Sequence, residues 1–311
     1  MRIAVFGAGA VGGYFGGRLA QAGHAVVFIA RGAHLEAMRR DGLVVRSTSG
    51  DFALCPVEAT DAPAGVGRVD VVLVAVKAWH VREAGRAMLP MLGDASFVVP
   101  LQNGVEACDE LAEEVGRERV VGGLCRLISV LEAPGRIRHA GVTPRIEFGE
   151  PDGRPSARVD ALRAAFGAAA GVTAVVPADV AAAIWEKFLF IAPFSGVGAV
   201  TRAPAGAMRA VPETRGLLES AMREVHALAL ARRVAVREDA VARTLGFVDG
   251  LPADATASMQ RDLIEGRPSE LEYQNGAVVR LARPAGVPVP VNAFLYASLL
   301  PAELKARAAE R

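Results

Sequence analysis

The stretch Arg2-Ile3-Ala4-Val5-Phe6-Gly7-Ala8-Gly9-Ala10-Val11-Gly12 decides the fold. An extended, mostly apolar run enters a glycine-rich turn. A helical run to Gly23 follows, and then a second apolar run, Ala25-Val26-Val27-Phe28-Ile29. Strand, turn, helix and strand in that order within about 30 residues make a βαβ unit. Gly7 permits the tight turn, Gly9 lets backbone approach a pyrophosphate, and Gly12 lets helix and strand pack closely. The helix N-terminus then aims N–H groups and its positive dipole end at phosphate. Gly7, Ala8, Gly9, Ala10, Val11 and Gly12 are therefore the expected dinucleotide cradle. A glycine turn without ligand is the competing reading, and the complete βαβ context disfavours it.

Strand two ends in Ala30-Arg31-Gly32, where an NAD-preferring site usually carries Asp or Glu for the ribose 2′-hydroxyl. A guanidinium can pair bidentately with a 2′-phosphate that a carboxylate would repel. Arg31 thus points to NADP(H) as cofactor, against the plainer reading of a solvated surface arginine.

At 311 residues the chain has room for two domains. It is 52% hydrophobic and 22% charged, the balance of an ordinary protein with sizeable cores. The net charge of +1 offers no basic field for nucleic acid or an anionic membrane. Cys55, Cys108 and Cys125 are odd in number and not spaced for metal, which fits unpaired thiols in a reducing compartment. Met1 leads straight into a strand, so no signal peptide and a cytoplasmic location are expected. The most apolar stretch, Phe188 to Val200, contains Pro193 and reads as a buried helix too short to span a bilayer.

Beyond Arg31 the pattern predicts a helix over 33–40 and a hairpin of 43–45 with 52–54. A buried parallel strand over 69–76 ends in Lys77, and another over 95–100 runs into Gln102-Asn103-Gly104. Lys77 and Asn103 therefore sit at strand C-terminal ends, where open α/β sheets bind ligands. The plainer readings are an exposed lysine and a common turn. A helix over 105–115 and a strand near Val120 follow. Short extended runs over 124–131, 136–139 and 145–148 predict an antiparallel extension closing the sheet, with His139 an exposed strand residue. A helix over 156–170 and a strand over 172–176 complete the first domain. The expected division is residues 1–178, an α/β Rossmann-like dinucleotide-binding domain, and 179–311, an all-helical domain. Helices are expected there over 180–194, 213–231, 237–245, 255–264, 269–281 and 291–307.

Lys187 stands in the otherwise apolar helix Ile184-Trp185-Glu186-Lys187-Phe188. Such a lysine either snorkels to water or lies desolvated with a lowered pKa, and only the second state suits a proton donor near neutral pH. Read locally, Glu270 in Pro268-Ser269-Glu270 is a first-turn helix acid.

These blocks in series resemble the ketopantoate reductase (2-dehydropantoate 2-reductase) family over nearly the whole chain. They are the glycine turn, Val76-Lys77-Ala78-Trp79, Leu101-Gln102-Asn103-Gly104, Trp185-Glu186-Lys187, Ser258-Met259-Gln260-Arg261-Asp262 and Ser269-Glu270-Leu271-Glu272-Tyr273-Gln274-Asn275-Gly276. The resemblance implies NADPH-dependent reduction of a 2-oxo acid, ketopantoate to pantoate, on the route to pantothenate. It implies Lys187 as proton donor and Glu270 as the acid that binds the substrate hydroxyl and supports the lysine. Asn103 is implied to contact nicotinamide and substrate, Lys77 and Ser258 to contact cofactor or substrate, and Arg31 to meet the 2′-phosphate. The family pattern has asparagines four and eight residues after the lysine and another further along. Here those positions are Ile191, Ser195 and Ala205, of which Ser195 alone keeps a hydrogen-bonding side chain for substrate. Two other readings stay open: a related NADP-dependent dehydrogenase acting on another hydroxy or amino acid derivative, and an NADPH-binding sensor without catalysis. The expected partner is a small 2-oxo acid, with no nucleic acid and no membrane; the helical faces allow a homodimer.

Overall fold

The opening folds as the βαβ unit its pattern predicts, β1 (Arg2–Phe6), α1 (Ala10–Gln21) and β2 (Ala25–Ile29). The computed structural model describes residues 1–309 and divides into two units, Met1–Gln102 with Glu106–Val180, and Asn103–Val105 with the chain from Ala181 on. In the first unit α2 (Gly32–Asp41), β3 (Leu43–Ser47), β4 (Phe52–Leu54), β5 (Glu58–Thr60) and β6 (Val69–Val74) follow. Then come α3 (Val81–Met88), β7 (Leu92–Pro100), α4 (Ala107–Val115), β8 (Gly122–Arg126) and β9 (Ser129–Ala133). The unit ends with β10 (Arg136–His139), β11 (Arg145–Gly149), α5 (Ala157–Gly167) and β12 (Thr173–Val175).

The central sheet has five parallel strands in the order β5-β2-β1-β6-β7. Its inner strands read as apolar runs because both faces are covered: Val71, Val72, Leu73 and Val74 are each fully buried. Helix α1 lies close on this sheet because its inner face is glycine. A Cβ on Gly12 would stand 2.2 Å from the Gly7 carbonyl, and one on Gly16 would stand 2.5 Å from Val5.

The short strands pair antiparallel as expected, β9 with β10 and β8 with β11, but they do not close the central sheet. They make two further sheets, β4-β3-β10-β9 and β12-β11-β8, in which β10 runs parallel to β3 and β12 parallel to β11. Adjacency in sequence favours hairpins, whereas these parallel pairs join segments separated by whole helices, which local pattern does not report. The predicted strand at Val120 is a single bridge to Val98. His139 is buried, not exposed: its Nε2–H donates to the Val142 carbonyl at 2.9 Å, and its Nδ1 accepts from the Ser47 hydroxyl at 2.8 Å. Beside it, buried Arg18 ties α1 to the β3–β4 turn, donating to the Gly50 carbonyl at 2.5 Å and covering the Phe52 ring at 4.4 Å.

The second unit is helical: α6 (Val180–Thr201), α7 (Ala205–Ala210), α8 (Pro212–Ala231), α9 (Ala240–Asp249), α10 (Ser258–Ile264), α11 (Asn275–Ala285) and α12 (Pro290–Ala309). Helix α6 runs through Pro193 instead of ending beside it. An interior proline costs about 3 kcal/mol. Phe188, Phe194 and Val197 are essentially fully buried, and each side chain of that size contributes about 1.5–3 kcal/mol, so packing wins. At 22 residues α6 is long and apolar enough to cross a membrane, yet 67% of its most apolar window is buried. Burial of that kind is what a core helix shows.

The helix expected over 269–281 is broken. Leu271–Tyr273 forms a single 3₁₀ turn, Gln274 takes the non-helical angles φ −111° and ψ −95°, and α11 begins only at Asn275. Glu270 therefore precedes a tight turn and is no first-turn acid of an α-helix. Asn103–Val105 belong to the second unit although they follow β7 directly, because Gly104 lies against the Tyr273 carbonyl and Val105 packs on the helical core.

Candidate active site

In the first unit the glycine turn has the geometry that a phosphate cradle needs. Gly7 sits at φ +96°, open to glycine, and a Cβ there would meet the Val76 nitrogen at 2.7 Å. Around Gly9 nothing lies within 4 Å of where a Cβ would be, so space is kept over the turn. Gly9 caps α1 without a side-chain bond, and no acid stands in the first helical turn. The N-terminal dipole is thus left for an anion. Val11 and Gly12 lie in that first turn, as does Ala10. The Gly7 and Ala8 N–H groups both donate to the Ile29 carbonyl at 3.1 Å, and the Ala8 carbonyl accepts from His34 Nε2–H at 2.8 Å. The Gly135 N–H donates to His34 Nδ1 at 3.0 Å, which fixes the proton on Nε2. His34 thus braces the turn from α2. A lone histidine in a polar helix gave no sign of this in the sequence.

Arg31 is the residue before α2 and its guanidinium is mostly exposed, but it already has a carboxylate partner. Its Nη2 stands 2.7 Å from Glu83 Oε1 on α3. Arg31, and then His80 at 3.0 Å from the other oxygen, hold the Glu83 carboxyl below the usual carboxylate range. A phosphate at Arg31 would share that guanidinium with Glu83. Lys77 follows β6 at the sheet's C-terminal edge, with its ammonium 5.7 Å from the Trp79 ring centre. Gln102 is buried. Its amide donates to the Val74 and Val76 carbonyls at 3.0 and 2.9 Å, tying the loop before Lys77 to the end of β7.

In the second unit Lys187 and Glu270 are both buried, 9% and 6% exposed, and each has an interaction partner within the fold. Two ionisable groups that deep need compensation to stay charged. Asn103 Nδ2 donates to Glu270 Oε2 over a long 3.5 Å, so these two expected site residues come together. Ser258 opens α10 and is half-buried. Gln260, two residues on, donates to the Gly198 and Ala203 carbonyls at 3.1 and 2.9 Å and fastens α10 to the end of α6. Arg261 is also held there, donating to the Thr256 carbonyl at 2.8 Å; burial lowers its pKa from the usual arginine value. Ser195 is fully buried with its hydroxyl unpaired among the described residues. Ala205 is equally buried at the start of α7, in the apolar core. Ile191 is half-buried against that same core. Among the described residues no group of three or more His, Cys, Asp or Glu is arranged to hold a metal.

A glycine-turn βαβ sheet followed by a helical unit with a buried lysine and glutamate is the architecture of a two-domain dinucleotide-dependent oxidoreductase. The profile described as "Ketopantoate reductase PanE/ApbA" matches residues 3–153, and its C-terminal counterpart matches residues 179–303. The chain belongs to the ketopantoate reductase family of oxidoreductases. It is 33% identical to a 2-dehydropantoate 2-reductase of Mesorhizobium japonicum, over 93% of this chain and 94% of that protein. The solved structure of 2-dehydropantoate 2-reductase from Geobacter metallireducens GS-15 superposes with a TM-score of 0.90 at 33% identity, covering 97% of this chain and 100% of that one. The fold is shared more widely. The ternary structure of D-mandelate dehydrogenase with NADH and anilino(oxo)acetate gives a TM-score of 0.89 at only 21% identity, covering 99% of each chain.

Proposed function

We propose that the protein reduces a 2-oxo acid to the 2-hydroxy acid with NADPH, and that 2-dehydropantoate is the first substrate to test. The observation that carries this reading is the burial of Lys187 and Glu270 in one unit of a chain whose other unit keeps open space above a glycine turn.

Gly7, Ala8, Gly9, Ala10, Val11 and Gly12 would hold the pyrophosphate, Arg31 the 2′-phosphate, and Lys77 and Asn103 further parts of the cofactor. When bound, the dihydronicotinamide supplies a hydride to the carbonyl carbon. The carbonyl oxygen gains negative charge as that carbon is reduced, and the Lys187 ammonium stabilises it and then delivers a proton to it from Nζ. The lysine recovers its proton from solvent. The Glu270 carboxylate keeps Lys187 charged and accepts a hydrogen bond from the new hydroxyl, with Asn103 orienting it. The Ser258 hydroxyl is a donor for the substrate carboxylate, and Ser195 contributes from α6. The expected setting is the cytoplasm.

Ile191 and Ala205 favour a second reading of the substrate. Side chains without donors there bind a hydroxylated oxo acid less well than amides would, by about 1 kcal/mol per lost bond. A smaller or more apolar 2-oxo acid is then the better substrate. Steady-state assays with NADPH and with NADH, on 2-dehydropantoate and a panel of 2-oxo acids, test both readings. Turnover on none of them would overturn the proposal; a preference for an apolar oxo acid would select the second.

A further inference from the structure

Glu270 stands in a segment with little regular structure, yet its backbone is pinned from a distant helix. Glu303 on α12 is 2% exposed and Ser269 is fully buried. The Ser269 N–H donates to both Glu303 oxygens, at 3.1 and 3.0 Å, and the Ser269 hydroxyl donates to Oε2 at 2.5 Å. The same hydroxyl accepts from the Leu271 N–H at 3.2 Å. Arg307, one turn along α12, stands 2.6 Å from Glu303 Oε1 and donates to the Ser269 carbonyl at 2.8 Å. The Glu270 carbonyl in turn accepts from the Tyr273 and Gln274 N–H groups, each at 3.0 Å. Every polar group of Ser269 is therefore engaged, and the peptide units on both sides of Glu270 are fixed.

We infer that Glu303 is a positioning residue for the reaction: through Ser269 it fixes the backbone that aims the Glu270 carboxylate. This rests on the role proposed above for Glu270. An apolar contact would hold α12 to this loop without the desolvation that a buried carboxylate pays. What the carboxylate adds is direction. It accepts several bonds from one residue at defined angles, and catalytic groups tolerate little displacement, since a shift of about 1 Å can cost on the order of 100-fold in rate. Arg307 compensates the charge and closes the ring of bonds through the Ser269 carbonyl.

The test uses the full chain with Glu303→Gln and, as the milder change, Ser269→Ala, which removes a single hydroxyl. Both are assayed for kcat, KM, NADPH affinity by fluorescence titration and Tm, alone and combined with Glu270→Ala. The expected result is a fall in kcat on the order of tenfold or more, with unchanged NADPH affinity. In the Glu270→Ala background the same changes should cost no further activity, because their effect passes through Glu270. Folded variants with wild-type kcat would overturn the inference, as would losses that repeat in full on Glu270→Ala. Wild-type turnover in Glu270→Ala itself would overturn the underlying role of Glu270 instead, so the two failures are told apart.

Discussion

The glycine turn of the first unit and the Glu270 loop of the second are both built to present polar groups, and they are built in opposite ways. The turn is local. Its parts lie between Gly7 and Gly12, its shape comes from one left-handed glycine and one helix start, and what it offers a ligand is backbone and space. The Glu270 loop is assembled from afar. Asn103 reaches it from the end of β7, Glu303 and Arg307 hold it from α12, and what it offers is a buried side-chain charge. A site made of backbone is broken by adding atoms, whereas a site made of a buried charge is broken by removing them. Substitutions at the two places should therefore fail differently.

The sharpest contrast comes from Lys187→Ala. Removing the proposed proton donor should lower kcat by about 10²- to 10⁴-fold, while NADPH affinity stays at the wild-type value in a fluorescence titration. Loss of NADPH affinity would blur the contrast. The converse is Gly12→Val. Its Cβ would fall 2.2 Å from the Gly7 carbonyl and 2.8 Å from Val5, so α1 must move off the sheet. Overpacking of this kind costs about 1–3 kcal/mol, read as a lower Tm, and dinucleotide affinity should fall with it.

Arg31→Ala should erode NADPH preference over NADH by on the order of tenfold, the loss of a charge-assisted pair. The ratio of kcat/KM for the two cofactors reads this directly. The smallest effect belongs to its partner. Glu83 has a lowered pKa in the folded protein because of Arg31, so the pair's contribution to stability is present above the unfolded carboxylate value. It is lost only as pH falls through the lower folded value. From pH 5 to 8 that contribution is flat, and Glu83→Gln should shift stability by no more than about 1 kcal/mol for an exposed pair. The substitution frees Arg31, and NADPH preference should rise. A fall would show that Glu83 supports the phosphate site instead of competing for it.

The same contrast explains what was legible in the sequence. Periodicity and glycine spacing carry a local βαβ unit, and β1, α1 and β2 lie where the pattern puts them. Pairing between distant segments carries no local signature: the parallel join of β10 to β3 and the part-buried bond from Ser47 to His139 come from residues about 90 positions apart. Pro193 and the stretch after Ser269 misled in opposite senses. Proline predicts a helix end where core packing sustains the helix. Good helix formers around Glu270 predict a helix where the clamp from α12 imposes a tight turn. Lys187 stands out in the sequence because a lysine is unusual in an apolar helix, whereas Glu270 reads locally as a first-turn acid and Asn103 as part of a common turn, so their expected roles come from the family resemblance. Glu303 and His34 give no such signal, because a glutamate in a long helix and a histidine in a polar one are unremarkable until their partners are known.

The central claim is that this chain moves a hydride onto a 2-oxo acid. It is tested most directly by incubating the protein with 2-dehydropantoate and NADPH carrying deuterium at the transferable position of the nicotinamide, and examining the product by mass spectrometry. The account predicts a 2-hydroxy acid bearing one deuterium on its second carbon, formed by the wild-type protein at least about 100-fold faster than by Lys187→Ala. A wild-type protein that binds NADPH yet leaves the deuterium on the cofactor, with this and every other 2-oxo acid tried, would contradict it.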